Sequence, residues 1–85
     1  GDDSNVNLAR SELFFTLENE MVQTPLDFFI RRTGMLFFDM PRLKLVMNTI
    51  LGDFKEYFSW KYEQYKQELA KLEHAIQEAQ LMTND

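Results

Sequence analysis

The chain has 85 residues, of which 45% are hydrophobic and 14% aromatic, and its formal net charge is -5 at pH 7. It contains no cysteine, which excludes disulfides, thiolate metal ligands and a cysteine nucleophile, and its acidic balance disfavours binding to nucleic-acid phosphates. No apolar run approaches the roughly 20 residues of a membrane-spanning helix. Because the chain begins at Gly1 rather than Met, we expect it to be a fragment of a longer protein.

Periodic apolar residues predict an all-α fold, a compact bundle of about four helices with a helix-turn-helix corner and a long C-terminal helix. The predicted helices cover about residues 8–22, 25–33, 41–58 and 60–81, within a single domain at 8–82. The polar residues 1–7 are expected to form a disordered lead or linker, and residues 83–85 a frayed tail. In the first helix three apolar residues recur every four positions, namely Leu13, Leu17 and Met21.

A sharp corner is predicted between the first two helices. Pro25 cannot continue a helix, but it suits the first position of a new one. Thr24 is then the N-cap, and Asp27 lies at the third helical position in an arrangement that resembles a capping box. Gly34 is expected to end this helix in a left-handed conformation. The predicted buried stripe of the helix consists of Leu26, Phe29, Ile30 and Thr33.

The third helix follows a compact apolar connector, Met35–Phe38, which is too short to assign as a strand. Asp39 is expected to cap this helix at its N-terminus. Gly52 lies inside the helical pattern at a cost of about 1 kcal/mol relative to alanine. It could mark a break, but one helix through about Phe58 is preferred.

The last helix has the strongest periodicity in the chain. Its apolar stripe alternates spacings of three and four residues and consists of Tyr62, Tyr65, Leu69, Leu72, Ile76 and Ala79. Charged residues are expected to cover the opposite faces, among them Glu63, Lys66 and Glu68. The stripe either packs within the bundle or forms a seam for a partner helix, which would make the chain a free-standing protein-interaction module.

Few residues could carry the chemistry of a site. The three glycines are too far apart for a phosphate-binding loop. His74, the single histidine, has Glu78 one turn later, but two ligands without a third predict no metal site. Glu18, Glu20 and Asp27 lie near the corner, and no nucleophile accompanies them, so we predict no catalytic residue.

Arg31 and Arg32 are the best candidates for a functional contact. On a helix their side chains point about 100° apart, so one can pair with a carboxylate or another domain while its neighbour faces solvent. They could also bind a substrate phosphate in a bidentate manner. We predict an interdomain or anion contact, with structural ion pairing the commoner use of such a pair.

The helix-turn-helix at Thr24 also raises the hypothesis of DNA binding. The second helix presents apolar side chains, which read base edges poorly: Leu26, Phe28, Phe29 and Ile30. Together with the acidic charge, this pattern predicts no nucleic-acid partner. The adjacent Phe28 and Phe29 instead predict a helix that is buried on two sides.

Residues 20–33, EMVQTPLDFFIRRT, and residues 36–39, LFFD, resemble the C-terminal helical domain of FAD-dependent glycerol-3-phosphate dehydrogenases and alpha-glycerophosphate oxidases. In that family a Glu-Met pair closes one helix, and a Thr-Leu-acid type of cap opens a helix that ends in Arg-Arg-Thr. The similarity covers about residues 9–72, and Trp60 stands where the family often has a Trp opening its last helix. The family commonly has Leu-Gly before that Trp, whereas this chain has Phe58 and Ser59.

The resemblance implies that the chain is an accessory domain of a flavoenzyme that oxidises sn-glycerol 3-phosphate to dihydroxyacetone phosphate. FAD accepts the hydride in such an enzyme and passes electrons to a quinone or to oxygen. The flavin-binding and substrate-binding domains are absent here, so the resemblance implies no cofactor in this fragment and makes those domains its partners. It also implies a cytoplasmic location, with peripheral membrane association of the parent enzyme as an option.

Overall fold

A computed structural model of the chain describes residues 4–19 and 22–83. In chain order they form α1 (Ser4–Asn19), α2 (Pro25–Asp27), a π-helical turn (Phe28–Arg32), α3 (Met35–Phe38), α4 (Met40–Phe58) and α5 (Tyr62–Thr83). No strand occurs among these residues, which confirms the predicted all-α fold.

The core lies between α4 and the helices around it. α1 packs along α4, while α5 contacts α2, α3 and α4. The largest fully buried side chains come from four of these elements and include Leu13, Phe28, Phe29, Leu43, Ile50, Phe54 and Leu72. Phe28 meets both Phe29 and Phe54 edge to face, with ring centroids 5.3 and 6.5 Å apart. Three aromatic rings therefore fill the middle of the core, and rings in this geometry attract one another beyond the area they bury.

α4 is the central helix because its apolar residues fall on one face. Leu43, Val46, Ile50 and Phe54 are spaced three or four residues apart and are fully buried. At its start, Asp39 Oδ1 accepts a hydrogen bond from the backbone N–H of Arg42 at 3.3 Å. The helix continues without a break through Gly52, where an added Cβ would meet nothing within 4 Å.

The bounds of α1 and α5 differ from the prediction. α1 begins at Ser4, so residues 4–7 are helical rather than a disordered lead, because Val6 packs against the core and holds an additional turn. The helix ends at Asn19 rather than at residue 22. α5 extends to Thr83. The predictions for residues 1–3, for Glu20 and Met21, and for residues 84–85 lie outside the described residues.

The second predicted helix is a short α-helix that continues as a π-helical turn. Its wider hydrogen bond runs from the N–H of Thr33 to the carbonyl of Phe28, at 3.0 Å. This extra width rotates Phe28 into the core beside Phe29, whereas three members of the predicted stripe are only half-buried: Leu26, Ile30 and Thr33. Gly34 follows with a left-handed φ of +70°, and its carbonyl accepts from the N–H groups of Phe37 and Phe38.

The segment predicted as a connector is therefore helical. Met35–Phe38 forms one turn, α3, which buries Met35 and Leu36 and leaves Phe37 and Phe38 exposed. Four residues are too few for a helical period to be read from sequence, which is why the pattern there predicted only a connector.

The joint between α4 and α5 also differs from the prediction, because Trp60 lies in the turn and α5 begins at Tyr62. Ser59 ends α4 with a left-handed φ of +55°, and the N–H of Trp60 donates to the carbonyl of Lys55 at 2.9 Å. The Trp60 ring stacks on Phe54 and Phe58 with centroid distances of 5.8 and 6.1 Å. This stacking holds Trp60 in the joint.

Candidate contact site at the arginine pair

The two adjacent arginines face different surroundings. Arg31 points outward, with 77% of its side chain exposed, and its Nε lies 3.5 Å from Asp27 Oδ1 one turn earlier. Arg32 is half-buried, and its Nε donates a hydrogen bond to Thr16 Oγ1 at 3.0 Å. The two guanidinium groups therefore do not converge on a common anion position.

Thr16 connects Arg32 to α1. Its side chain is fully buried, and its hydroxyl donates to the carbonyl of Glu12 at 2.7 Å while it accepts from Arg32. A hydroxyl that donates and accepts at once has both kinds of hydrogen bond satisfied. Arg32 thus ties the π-helical turn to α1, and this is a structural use of the side chain.

The predicted cap residues hold the corner that carries the arginines. Thr24 has extended backbone angles, and its Oγ1 accepts from the N–H of Asp27 at 3.1 Å. The N–H of Phe28 donates to the Thr24 carbonyl at 3.1 Å, which closes the first helical turn. Asp27 directs its carboxylate toward Arg31. Thr24 and Asp39 begin two successive helices, so they set where Arg31 and Arg32 lie.

Sequence reasoning missed the strongest ion pair in the domain. Arg10 on α1 bonds Asp53 on α4 at two points, Nε to Oδ2 at 2.9 Å and Nη2 to Oδ1 at 3.1 Å. The hydrogen bond and the charge of Asp53 raise the pKa of the Arg10 guanidinium above its ordinary value. The signal in the sequence is the position of Asp53, three residues after Ile50 and seven after Val46, on the buried face of α4.

Glu68 corrects a second prediction, since it is buried rather than on a solvated face of α5. Its Oε2 accepts from Gln64 Nε2 at 2.8 Å and lies 3.4 Å from Lys71 Nζ. Both partners stand one turn away on the same helix. Because α2 and α3 cover this side of α5, Glu68 is enclosed although its neighbours in sequence are polar.

The apolar stripe of α5 is mostly consumed within the domain. Leu72, Ile76 and Ala79 are buried, and Tyr65 and Leu69 pack against the core, so only Tyr62 of this stripe is exposed. A seam for a partner helix would need the stripe uncovered. This observation counts against the free-standing interaction module.

No catalytic or metal constellation is present in residues 4–19 and 22–83. Glu18 is exposed on α1, and His74 Nε2 lies 3.6 Å from Glu78 Oε1, with both side chains exposed. No group of three metal-ligating side chains occurs in this part of the chain. None of the helices described is long and apolar enough to cross a membrane.

Comparison with known families decides what this helical domain is. The family described as the C-terminal domain of alpha-glycerophosphate oxidase matches residues 2–65. The chain belongs to this family. Its membership agrees with the resemblance of residues 20–39, which lie wholly inside the matched range.

Relatives of this alpha-glycerophosphate oxidase C-terminal domain are named aerobic glycerol-3-phosphate dehydrogenase. The protein from Bacillus subtilis is 37% identical over 70 residues, or 79% of this chain and 12% of that protein. The one from Staphylococcus saprophyticus is 40% identical over 73 residues, or 82% of this chain and 13% of that protein. The chain thus spans only 12–13% of the length of these relatives. No solved structure is significantly similar to it.

Proposed function

We propose that this chain is the C-terminal accessory domain of an FAD-dependent enzyme that oxidises sn-glycerol 3-phosphate to dihydroxyacetone phosphate. The observation that carries this proposal is the family match over residues 2–65, together with relatives named aerobic glycerol-3-phosphate dehydrogenase. FAD and substrate belong to the remainder of the parent chain. The parent acts in the cytoplasm, alone or peripherally at a membrane.

The domain's contribution is to pack against the flavin-binding and substrate-binding domains. Its buried polar groups support this role, because Arg10, Asp53, Thr16 and Arg32 bond one another across helices within the domain. Groups that are paired in this way stabilise a fold and are not available to a substrate. Chemistry is therefore left to the other domains.

Arg31 is the better placed of the two arginines for an interdomain or anion contact. Its guanidinium is largely exposed, and its contact with Asp27 is a one-turn pair at 3.5 Å. Exposed pairs of this kind contribute little stability, so Asp27 can release Arg31 to another carboxylate or phosphate at small cost. Arg32 by contrast has its Nε bonded to Thr16.

The test uses the full parent chain with and without the segment that corresponds to residues 1–85. Flavin content is measured by absorbance, and glycerol 3-phosphate oxidation is followed by reduction of an artificial electron acceptor. We expect the intact chain to contain FAD and to reduce the acceptor only when glycerol 3-phosphate is present. An intact chain that lacks flavin, or that does not oxidise this substrate, contradicts the proposal.

Two further measurements define the domain's part. The isolated domain is expected to bind neither FAD nor glycerol 3-phosphate, and saturable flavin binding by it would overturn that assignment. In the full chain, Arg31→Gln is compared with Lys66→Gln, which removes an exposed charge from α5. If Arg31 makes an interdomain contact, only the first substitution lowers the melting temperature of the full chain.

A further inference from the structure

An exposed apolar surface lies where α3 passes into α4. We call it the aromatic edge and define it by Phe37, Phe38, Pro41 and Leu45, all of which are exposed. Phe38 is 87% exposed, more than any other large hydrophobic side chain among the described residues, and Phe37 is 55% exposed. Apolar surface concentrated in nine residues of chain is typical of an interaction site.

Phe38 has a defined position although it lacks an apolar cover. A Cβ added at Gly34 would come within 3.0 Å of Phe38 Cδ2, so the ring lies close over the Gly34 backbone. Gly34 has the left-handed φ that favours glycine, and its carbonyl accepts from the N–H of Phe38. The turn therefore presents the ring outward in one orientation, which lowers the entropic cost of docking it.

Arg42 provides a second, independent observation in the same segment. Its Nε and Nη2 are buried, and neither has a hydrogen-bond partner in the described part of the chain. Buried donors of native proteins nearly always have an acceptor, so one is missing here. Asp39, the one carboxylate between residues 37 and 45, already accepts from the backbone N–H of Arg42 as the cap of α4.

We infer that the aromatic edge is the surface through which this domain docks on the remainder of its parent chain. The inference rests on the proposed function, because it names the contact surface of that accessory domain. The occupant has an apolar surface that covers Phe37 and Phe38 and a carboxylate or carbonyl oxygen that accepts from Arg42 after its side chain turns outward. The relatives supply the occupant's source, since this chain corresponds to only 12–13% of their length.

Charge argues against a second copy of the domain as the occupant. Residues 37–45 carry two cations, Arg42 and Lys44, against the single carboxylate of Asp39. A two-fold contact brings the same patch of both copies together, so it would oppose like charges and offer Arg42 no free acceptor. An acidic apolar surface on the parent chain satisfies both requirements.

The test measures thiol accessibility in the full parent chain, whose other cysteines are first replaced. Phe38→Cys and Phe37→Cys each place one thiol in the aromatic edge, and Leu81→Cys places one at the far end of α5, where the side chain is 75% exposed. This domain has no cysteine of its own. Each variant is labelled with a maleimide, and its native rate is compared with its rate in denaturant.

We expect both thiols of the aromatic edge to react at least about ten-fold more slowly in the native chain than in denaturant, because a packed interface excludes the reagent. The control thiol at residue 81 is expected to react near its denatured rate. Protection of all three thiols also supports the inference, since the covered surface then includes the aromatic edge. Native rates at residues 37 and 38 that equal the denatured rates overturn it.

Protection at residue 38 that disappears on dilution indicates a second copy and also overturns the inference. The proposed function is judged separately, from flavin content and glycerol 3-phosphate oxidation by the same chain. A chain that oxidises this substrate while its residue-38 thiol reacts freely disproves only the docking surface. A chain with a protected thiol but no such activity disproves the function and retains an interdomain contact.

Discussion

Arg10 and Asp53 stand 43 residues apart in sequence and join α1 to α4 through two parallel hydrogen bonds of 2.9 and 3.1 Å. Their surroundings are unequal, since 46% of the Arg10 side chain is exposed against 8% of that of Asp53. The carboxylate therefore depends on the guanidinium for its solvation, whereas the guanidinium can turn to water. This asymmetry leads to the first prediction.

We expect Arg10→Met to lower the melting temperature more than Asp53→Asn does. The first change leaves a buried carboxylate without its donors, while the second leaves a cation that water can hydrate. Thermal unfolding followed by circular dichroism compares the two. Equal effects, or a larger effect of Asp53→Asn, would contradict the asymmetry. Adding Asp53→Leu to Arg10→Met should recover part of the loss, because no unpaired charge then remains buried.

The raised pKa of Arg10 sets the pH dependence of this pair. A cation whose pKa is raised in the folded state contributes stability below its unfolded pKa and loses it only as pH rises through the folded value. For arginine this window lies above about pH 12. The melting-temperature difference between the native chain and Arg10→Met should therefore be the same at about pH 6 and about pH 10. A difference that shrinks across this interval would show that Arg10 does not remain charged.

Ser59→Gly is expected to stabilise the domain by about 1 kcal/mol, because Ser59 occupies a left-handed conformation that costs an L-residue roughly this much. For a domain of this size the gain raises the melting temperature by about 4–8 °C. Ser59→Ala keeps the backbone cost and should give no gain. Ser11→Gly, at an exposed position inside α1, should instead lose about 0.5–1 kcal/mol. If all three changes destabilise, backbone conformation is not what limits residue 59.

Thr16→Val tests the hydroxyl that joins Arg32 to α1. The substitution keeps the volume but removes the acceptor of Arg32 Nε and the donor to the Glu12 carbonyl. We expect a loss of about 1–2 kcal/mol in the free energy of unfolding, measured in urea. Thr16→Ser retains the hydroxyl and serves as the matched control. Equal losses in the two variants would assign the effect to the methyl group instead.

Arg42→Met should stabilise the isolated domain by about 1 kcal/mol, because it removes two buried donors that have no acceptor in the described residues. Arg31→Met, at an exposed guanidinium, is the control and should give no comparable gain. In the full parent chain the sign for Arg42 should reverse if docking supplies the acceptor. Destabilisation of the isolated domain by Arg42→Met would show that the guanidinium is satisfied there.

Phe54→Ala is expected to cost about 3–5 kcal/mol, because Phe54 is fully buried and contacts Phe28 and Trp60. Trp60 is the single tryptophan, so its emission reports on the same site and should shift to longer wavelength. Phe38→Ala removes the same ring from an exposed position and should change stability by less than about 0.5 kcal/mol. Comparable losses from both substitutions would contradict the described core.

Local signals account for much of what the sequence predicted. The period of Leu43, Val46, Ile50 and Phe54 predicted the central helix, since residues three and four apart share a face whatever the rest of the chain does. Gly34 was recognised because a left-handed residue ends a helix. The α3 turn and the joint at Trp60 were not recognised, because single turns and stacked rings depend on contacts with other elements.

The candidate site shows the same division. The sequence singled out Arg31 and Arg32, but only the packing of α1 against the π-helical turn assigns Arg32 to Thr16 and leaves Arg31 exposed. Glu68 was placed on a solvated face, because nothing in its neighbours reveals that α2 and α3 fold over it.

By itself the sequence determined an all-α domain and, through the motif at residues 20–39, its family. Helical period, caps and motifs involve residues within a few positions of one another, so they can be read without knowing the fold. Only the tertiary structure decided that Arg10 meets Asp53, that Arg42 lacks an acceptor among the described residues and that Phe38 is uncovered. These features depend on which helix lies opposite which, and that is set by packing between segments distant in the chain.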